Sequence, residues 1–361
     1  MSEEKRLIIK FLQIPYGDAI RINYKGNDDN WHNIFIDAGF VNTYLRTLKQ
    51  EVIDIKSKDQ RIELFVITHT DQDHISGIKS FIKEFGDENL VDQYWFNAEN
   101  SDFELEQVSD KISYWDGIKL RNYLNSTGLL KDKIHSSLPS FDFYGAKILI
   151  LTPLLEDLGK FEEEWKTQES ILKAKGKSFE IISREKLAAK ENDYEASIED
   201  LVKNSFDEDD SLENKISISF LFEYLGNKFL FLADSHPSSV IDSLKKLGFS
   251  KEKKLTIDYV KLSHHGSKSN TSIELLDYIQ CENFIITANG ENKHMLPNKE
   301  TIARILANPS RVMSEPKKVN LIFCFESKVI ESILKKEDED KYNFNRIYPI
   351  EGDNGYTIEL Y

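Results

Sequence analysis

Fifteen consecutive residues, Leu64–Ile78 (LFVITHTDQDHISGI), constrain this chain more than any other stretch. An apolar strand runs there into a loop carrying His69, Asp71, Asp73 and His74. Side chains at i and i+2 of extended backbone project to the same side, so His69 and Asp71 face one point in space. Asp73 and His74 follow at once, just ahead of a helical pattern over Ile75–Phe85 with Gly77 in its first turn. Imidazole and carboxylate groups packed this closely suit one or two divalent ions. The plain alternative is a polar turn capping the helix, with Asp73 as N-cap, but a cap needs one such residue rather than four.

Two further strands end in the same chemistry. Phe229–His236 (FLFLADSH) closes on Asp234 and His236, and Asp258–Ser269 (DYVKLSHHGSKS) closes on the adjacent His264 and His265. In layered α/β folds such strand ends gather on one edge of a sheet and build the site there. A lone Asp after a strand is more often a turn residue; three strand-end clusters together are not explained that way.

With these motifs in place, the chain resembles metallo-β-lactamase-fold hydrolases, and within them the metallo-β-lactamase-like domain of ComEC-type competence proteins in a stand-alone form. The resemblance runs nearly end to end. FLQIPYGDAIRI (Phe11–Ile22) resembles the opening strand, Gly-Asp-Ala turn and second strand, and IFIDAG (Ile34–Gly39) the strand ending in Asp-x-Gly. THTDQDHISG resembles the His-x-Asp-x-Asp-His loop, Ser211–Asp234 the Asn-x-x-Ser strand and hairpin, and KLSHHGSKSNTS the Lys-Val-x-His-His-Gly-Ser segment. Ile286–Pro297 and Arg346–Leu360 resemble the closing strands.

The resemblance implies an α/β fold, a four-layer αββα sandwich of metallo-β-lactamase type with a helical insertion. It also implies roles. His69 and Asp71 hold one metal, Asp73 and His74 the other, and Asp234 bridges them. His264 completes the second site, while His265 faces the substrate; the order of this pair is left open by the sequence. Asp37 supports the metal loop by hydrogen bonding. The strand Lys147–Leu151 is followed by Thr152 where the superfamily often has a metal-binding His, which leaves the first site short. Oxygen-rich coordination favours Mn²⁺, with Zn²⁺ next. Catalytic candidates are Asp73, His265 and His294, with Lys268 as a further cation near the departing group. Ser267 is read as a turn residue.

Composition fits one large domain spanning 1–361, with 40% apolar residues to fill a core. Cys281 and Cys324 form no disulfide framework and read as packing residues. No segment approaches the ~20 apolar residues that span a bilayer, and the N-terminus lacks a signal-peptide pattern, so the expected location is cytoplasmic. The net charge of −15 pulls against nucleic acid as a partner, because duplex binders neutralise phosphates with Lys and Arg. Acidic residues concentrate in an insertion at about 156–213, read as two or three amphipathic helices, including Ile182–Leu187 and Ile198–Val202. It forms either a lid, a docking face or a solvated helical insertion. EDEDK (Glu337–Lys341) reads as a charged loop. Tyr114, Trp115 and Leu120 read as core packing rather than a base-stacking surface, and Asn97 as a residue able to reach the site.

The expected function is a metal-dependent hydrolase, a phosphodiesterase or nuclease acting on DNA. The alternatives are a small-molecule metallohydrolase of phosphorylcholine esterase-like or lactonase-like type, and the catalytic subunit of a bacterial defence assembly awaiting a sensor or ATPase partner.

Overall fold

The computed structural model describes residues 5–98, 113–175, 192–309 and 318–361. Among these, two large sheets carry the architecture, with a parallel pair, β11 (Leu255–Thr256) and β13 (Ile279–Gln280), apart from them. In spatial order the first comprises β17 (Gly355–Leu360), β1 (Leu7–Leu12), β2 (Ile20–Lys25), β3 (Trp31–Ile36), β4 (Leu64–Ile67), β5 (Tyr94–Phe96) and β6 (Leu130–Lys131). The second comprises β16 (Phe344–Ile347), β15 (Val319–Phe323), β14 (Asn283–Ile286), β12 (Tyr259–Lys261), β10 (Asn227–Phe231), β9 (Ser219–Tyr224), β8 (Ala146–Thr152) and β7 (Phe141–Phe143). Each sheet is antiparallel toward one edge and parallel toward the other: β3 to β6 run parallel in the first, and β10, β12, β14, β15 and β16 in the second.

Successive side chains of a strand point to opposite faces, and the central strands are apolar on both, which explains why the sheets are covered on both sides. Leu64 and Val66 of β4 point inward, where they meet Phe229 and Phe231 of β10, Ile285 of β14 and Ile322 of β15 in one cluster. The intervening Phe65 and Ile67 face outward onto helices Leu48–Ser57, Gln72–Phe85, Ser113–Thr127 and Leu155–Lys175. Leu230, Phe284, Ile286, Leu321 and Phe323 face the other way, onto helices Pro237–Lys246, Ile273–Tyr278, Lys299–Leu306 and Lys328–Ile333. The result is a mixed α/β sandwich of four layers, helix, sheet, sheet, helix. Each fully buried Leu, Ile or Phe contributes roughly 1.5–3 kcal/mol over leaving it exposed. Both cysteines are free, so burial rather than cross-linking holds the layers together.

Several expectations change at this level. Ile286 ends β14, and residues 287–297 form a loop rather than a strand, held by Asn292, whose side chain bonds Leu296 O (2.6 Å) and the amides of His294 (3.1 Å) and Leu296 (3.0 Å). Arg346–Leu360 divides between the sheets, its start in β16 and its end in β17. EDEDK lies in a short helix, Lys336–Tyr342. The acidic insertion is anchored at both ends: Leu158, Phe161 and Trp165 pack into one outer layer, and Tyr194, Ile198 and Leu201 into the other. Ile182–Leu187 and the side chains of Tyr114 and Trp115 lie outside the described residues; Leu120 is buried in the helical layer over the first sheet. Among the described residues, no helix is long and apolar enough to cross a membrane.

Candidate metal centre

The loops that follow β3, β4, β10, β12 and β14 meet at one edge of the sandwich. Asp37 follows β3, His69 follows β4, Asp234 follows β10, His264 and His265 follow β12, and Thr287 follows β14. Parallel strands present their carboxyl ends together, which is why residues far apart in sequence converge here. Helix Gln72–Phe85 starts directly after Asp71. That residue occupies its N-cap position but makes no side-chain capping bond, so the carboxylates of this loop are not spent on the helix. Two close approaches shape the loop. A Cβ on Gly77 would lie 2.1 Å from Ala38 O, and one on Gly17, at φ +114°, would lie 2.2 Å from Asp73 O. Glycine at both positions lets the helix and the Tyr16–Asp18 turn press against the site.

Four histidines are arranged alike. His74 Nδ1 lies 2.7 Å from Asp37 Oδ2, and His264 Nδ1 lies 3.0 Å from Asn270 Oδ1. Thr68 donates its hydroxyl to Asp37 Oδ2 (2.7 Å), so its oxygen accepts from His69 Nδ1 at 3.0 Å. Thr287 donates to Asp18 Oδ1 (2.9 Å) and accepts from His265 Nδ1 at 3.1 Å. In each neutral ring the network therefore places the proton on Nδ1 and leaves Nε2 with its lone pair. All four Nε2 atoms turn toward Asp234 Oδ2, at 3.4 Å (His74), 3.5 Å (His265), 3.8 Å (His69) and 3.8 Å (His264). His69 Nε2 and Asp234 Oδ1 are buried without a hydrogen-bond partner.

Lone pairs and carboxylates converging in a dry site repel one another unless a cation or protons sit between them. His74 Nε2 and His265 Nε2 are 3.3 Å apart, and Asp73 Oδ2 lies 3.2 Å from His265 Nε2 and 3.8 Å from His74 Nε2. With Asp234 Oδ2 included, five of the six separations among these four atoms run from 3.2 to 3.8 Å. A tetrahedral ion with ligands at ~2.1 Å needs edges of about 3.4 Å. The residues fit a divalent metal.

The electrostatics say the same. Burial alone would lower the proton affinity of His265, but Asp234, Asp18 and Asp73 outweigh it and push the ring up to about 10. His74 and His264 are also raised against the burial penalty, chiefly by Asp234. Burial pushes the Asp234 carboxyl up, and the facing histidines more than reverse this, holding it well below the usual carboxylate range. The site demands positive charge.

Asp18 sits in the same knot, its ligand atom within 4.8 Å of those of His74, Asp234 and His265. Its two oxygens are already engaged, one with the buried Lys261 ammonium and one with Thr287. Asp73 is therefore the better fourth ligand of the tetrahedron, and Asp18 holds His265 in place through Thr287.

The order of the tandem pair differs from the expectation. His265, not His264, lies among Asp73, His74 and Asp234; His264 Nε2 is 3.8 Å from Asp234 Oδ2, its ring plane at 87° to that of His265. Both residues have left-handed backbone (φ 46° and 54°), which costs ~1–2 kcal/mol each and turns successive side chains apart. His294 stands at the rim, half-buried and edge-on to Tyr16 at 5.3 Å, rather than among the converging rings. Lys268 is exposed, 3.8 Å from Glu300, and Ser267 Oγ accepts from the Ser269 amide in its own turn. Thr152 bonds Ser217 O (2.8 Å) and Ser219 Oγ (2.5 Å) and offers nothing to the site. Asn97 pins Ile134 through both ends of its amide instead of reaching the centre. His236 Nε2 is buried without a hydrogen-bond partner, 3.8 Å from Asp209.

The sequence reading missed Asp209. This residue of the acidic run bonds Asn214 (2.7 Å) and Asn270 (3.0 Å) and lies 3.5 Å from His264 Nδ1. Its surroundings in the sequence, DEDD, gave no way to tell it from solvated neighbours. Asp18 and Lys261 were visible as parts of motifs, but their pairing across the fold was not.

No family model matches the sequence, and no curated protein does. Among solved structures, the chain is similar to the metallo-beta-lactamase fold protein YhfI from Bacillus subtilis (10% identity over 99% of this chain and 100% of that one, TM-score 0.44). It is also similar to unliganded yeast PDE1 (10%, 99% and 100%, TM-score 0.46) and to a diphosphatase from the PhnP family (10%, 99% and 98%, TM-score 0.40). The chemistry of the centre rests on its atoms and not on these likenesses.

Proposed function

We propose that this chain is a metal-dependent hydrolase of phosphodiester bonds, of the ComEC-like branch of the metallo-β-lactamase fold, with DNA as its substrate. The observation that carries the metal-dependent part is the convergence of four imidazole Nε2 atoms on Asp234 Oδ2. Asp73, His74, His265 and Asp234 hold one ion, and Asp234 extends toward a second position beside His69 and Asp71. Divalent ions in such a site lower the pKa of water and offset the charge that builds on a phosphoryl oxygen. Four imidazoles against three carboxylates bring Zn²⁺ level with Mn²⁺ as the occupant. Asp37, Thr68 and Thr287 fix the ring tautomers, so no reorganisation accompanies the reaction. His294, on the rim beside Tyr16, is the candidate to pass a proton to the departing oxygen, with Lys268 second.

One observation favours a smaller substrate. The half-buried side of the centre is acidic, with Asp71 and Glu213 close together; burial pushes the Glu213 carboxyl up, and the charge of Asp71 adds to it. Such a rim repels a polyanionic duplex more than it repels a compact diester.

The test is hydrolysis of labelled single- and double-stranded DNA, and of bis(p-nitrophenyl) phosphate, by protein loaded with Mn²⁺ or Zn²⁺. Chelator and Asp73→Ala serve as controls. Metal-dependent DNA cleavage that falls at least about 10³-fold in Asp73→Ala supports the full reading. Turnover of the small diester alone shifts the substrate to a small molecule. Metal-loaded protein that cleaves neither sinks the phosphodiester assignment.

A further inference from the structure

We propose that the tandem histidines serve different ions. His265 closes the buried site, and His264, positioned by Asp209 from the acidic insertion, completes a second site with His69, Asp71 and Asp234. This rests on the metallohydrolase reading above and goes beyond it in assigning the second ligand set.

The open half of the centre is short of ligands without His264. His69 Nε2 is buried and unpartnered, 3.6 Å from Asp71 Oδ2 and 3.8 Å from Asp234 Oδ2. Strand β8 supplies no donor there, because the Thr152 hydroxyl is committed to Ser217 and Ser219. His264 Nε2 faces the same Asp234 oxygen at 3.8 Å, and in the neutral ring the Asn270 bond holds the proton on Nδ1 and leaves Nε2 its lone pair. Two imidazoles and two carboxylates make a donor set suited to Zn²⁺ or Mn²⁺.

The splayed backbone is what permits one dipeptide to feed two sites. Consecutive left-handed residues place the rings 5.8 Å apart and nearly perpendicular, and each ring has its own support. For His265 that support is Thr287 and Asp18; for His264 it is Asn270 with Asp209. Asp209 is held by the Asn214 and Asn270 amides and by the Ser211 backbone N–H, and its own amide bonds Ser269 O (3.1 Å). A carboxylate fixed beside Nδ1–H raises the basicity of the opposite nitrogen, the usual way such a partner strengthens a metal-binding imidazole. Asp209 is thus a positioning residue. Through it the insertion acts on the metal centre.

The full-length protein, stripped with chelator, is titrated with Mn²⁺ and Zn²⁺ by calorimetry. Bound metal is counted by mass spectrometry, and the Mn²⁺-loaded form is read by electron paramagnetic resonance. Wild type is expected to bind two ions with a spin-coupled Mn²⁺ pair. His264→Ala should keep one tightly bound ion and lose the coupling, and His265→Ala should lose the tight ion. Asp209→Asn should still take two, with the second bound about 10-fold more weakly and the first unchanged. The His264 side chain is partly exposed, so its truncation opens no core cavity; His264→Gln gives the same reading should the alanine variant fail to fold. Two coupled ions in His264→Ala, or a single ion in wild type, overturn the proposal. Wild type that binds no metal at all overturns the metallohydrolase reading beneath it.

Discussion

The two halves of the centre share one carboxylate and differ in almost everything else. On one side of Asp234, the His74 and His265 side chains are fully buried, and Asp73 is 15% exposed. On the other, His69 is buried, but Asp71 and His264 are 36% and 28% exposed. The closed half has measured ligand edges of 3.2–3.8 Å, and beneath it lies a buried ion pair, Asp18 with Lys261. The open half leans on loops and on one residue of the insertion. Preorganised ligands lose little freedom on binding, so the closed half should take its ion first and more tightly. The difference also suggests a division of labour, with a fixed anchor on one side and an exchangeable, substrate-facing position on the other.

The largest expected effect tests what the closed half stands on. Lys261→Met leaves Asp18 buried without its cation, and breaking a buried pair in this way costs about 3–5 kcal/mol. Urea unfolding of the apo-protein checks the loss, and Asp18→Asn combined with Lys261→Met should recover much of it. A Lys261→Met variant as stable as wild type would mean the closed half is not built on that pair. Next in size is Asp37→Asn. The Asp37 carboxylate accepts from Thr68 N (2.8 Å), Thr68 Oγ1 (2.7 Å) and His74 Nδ1 (2.7 Å). An amide cannot accept at both oxygen positions, so His74 switches tautomer and presents N–H to the ion. Affinity for the tight ion should fall 10–100-fold, as is typical for losing such a partner, while the weak ion changes less. Calorimetry that shows the weaker ion hit harder would reverse the comparison.

How far each half could be read from sequence follows the same divide. His69, Asp71, Asp73 and His74 share one short loop, so their proximity is imposed by chain connectivity, and strand-end logic added Asp234. The four layers were expected from the resemblance, and the unbroken apolar run of β4 agrees with a strand covered on both faces. The order of His264 and His265 was not legible. It depends on two left-handed residues, and no composition rule places histidine there. Asp209 was hidden because its role comes from contacts with Asn214, Asn270 and His264, the last two more than fifty positions away. Residues 287–297 read as a strand, yet the Asn292 side chain gathers that segment into a loop.

The smallest effect probes the open half through acid. Burial tends to push the Asp209 carboxyl up, but His264, Asn214 and Asn270 outweigh it, so its folded pKa lies below the unfolded value of about 3.9. The sign follows directly: the unfolded chain binds the proton more readily, so Asp209 stabilises the fold above pH 4 and ceases to do so as pH falls through the folded value. In metal-free protein, wild type should therefore exceed Asp209→Asn in stability by about 1 kcal/mol at pH 5. Below pH 4 the two unfolding curves should draw together. A margin that persists to pH 2 would show that the Asp209 side chain acts by shape and hydrogen bonding alone. The open half would then owe nothing to its charge, and the contrast with the ion-paired closed half would become sharper still.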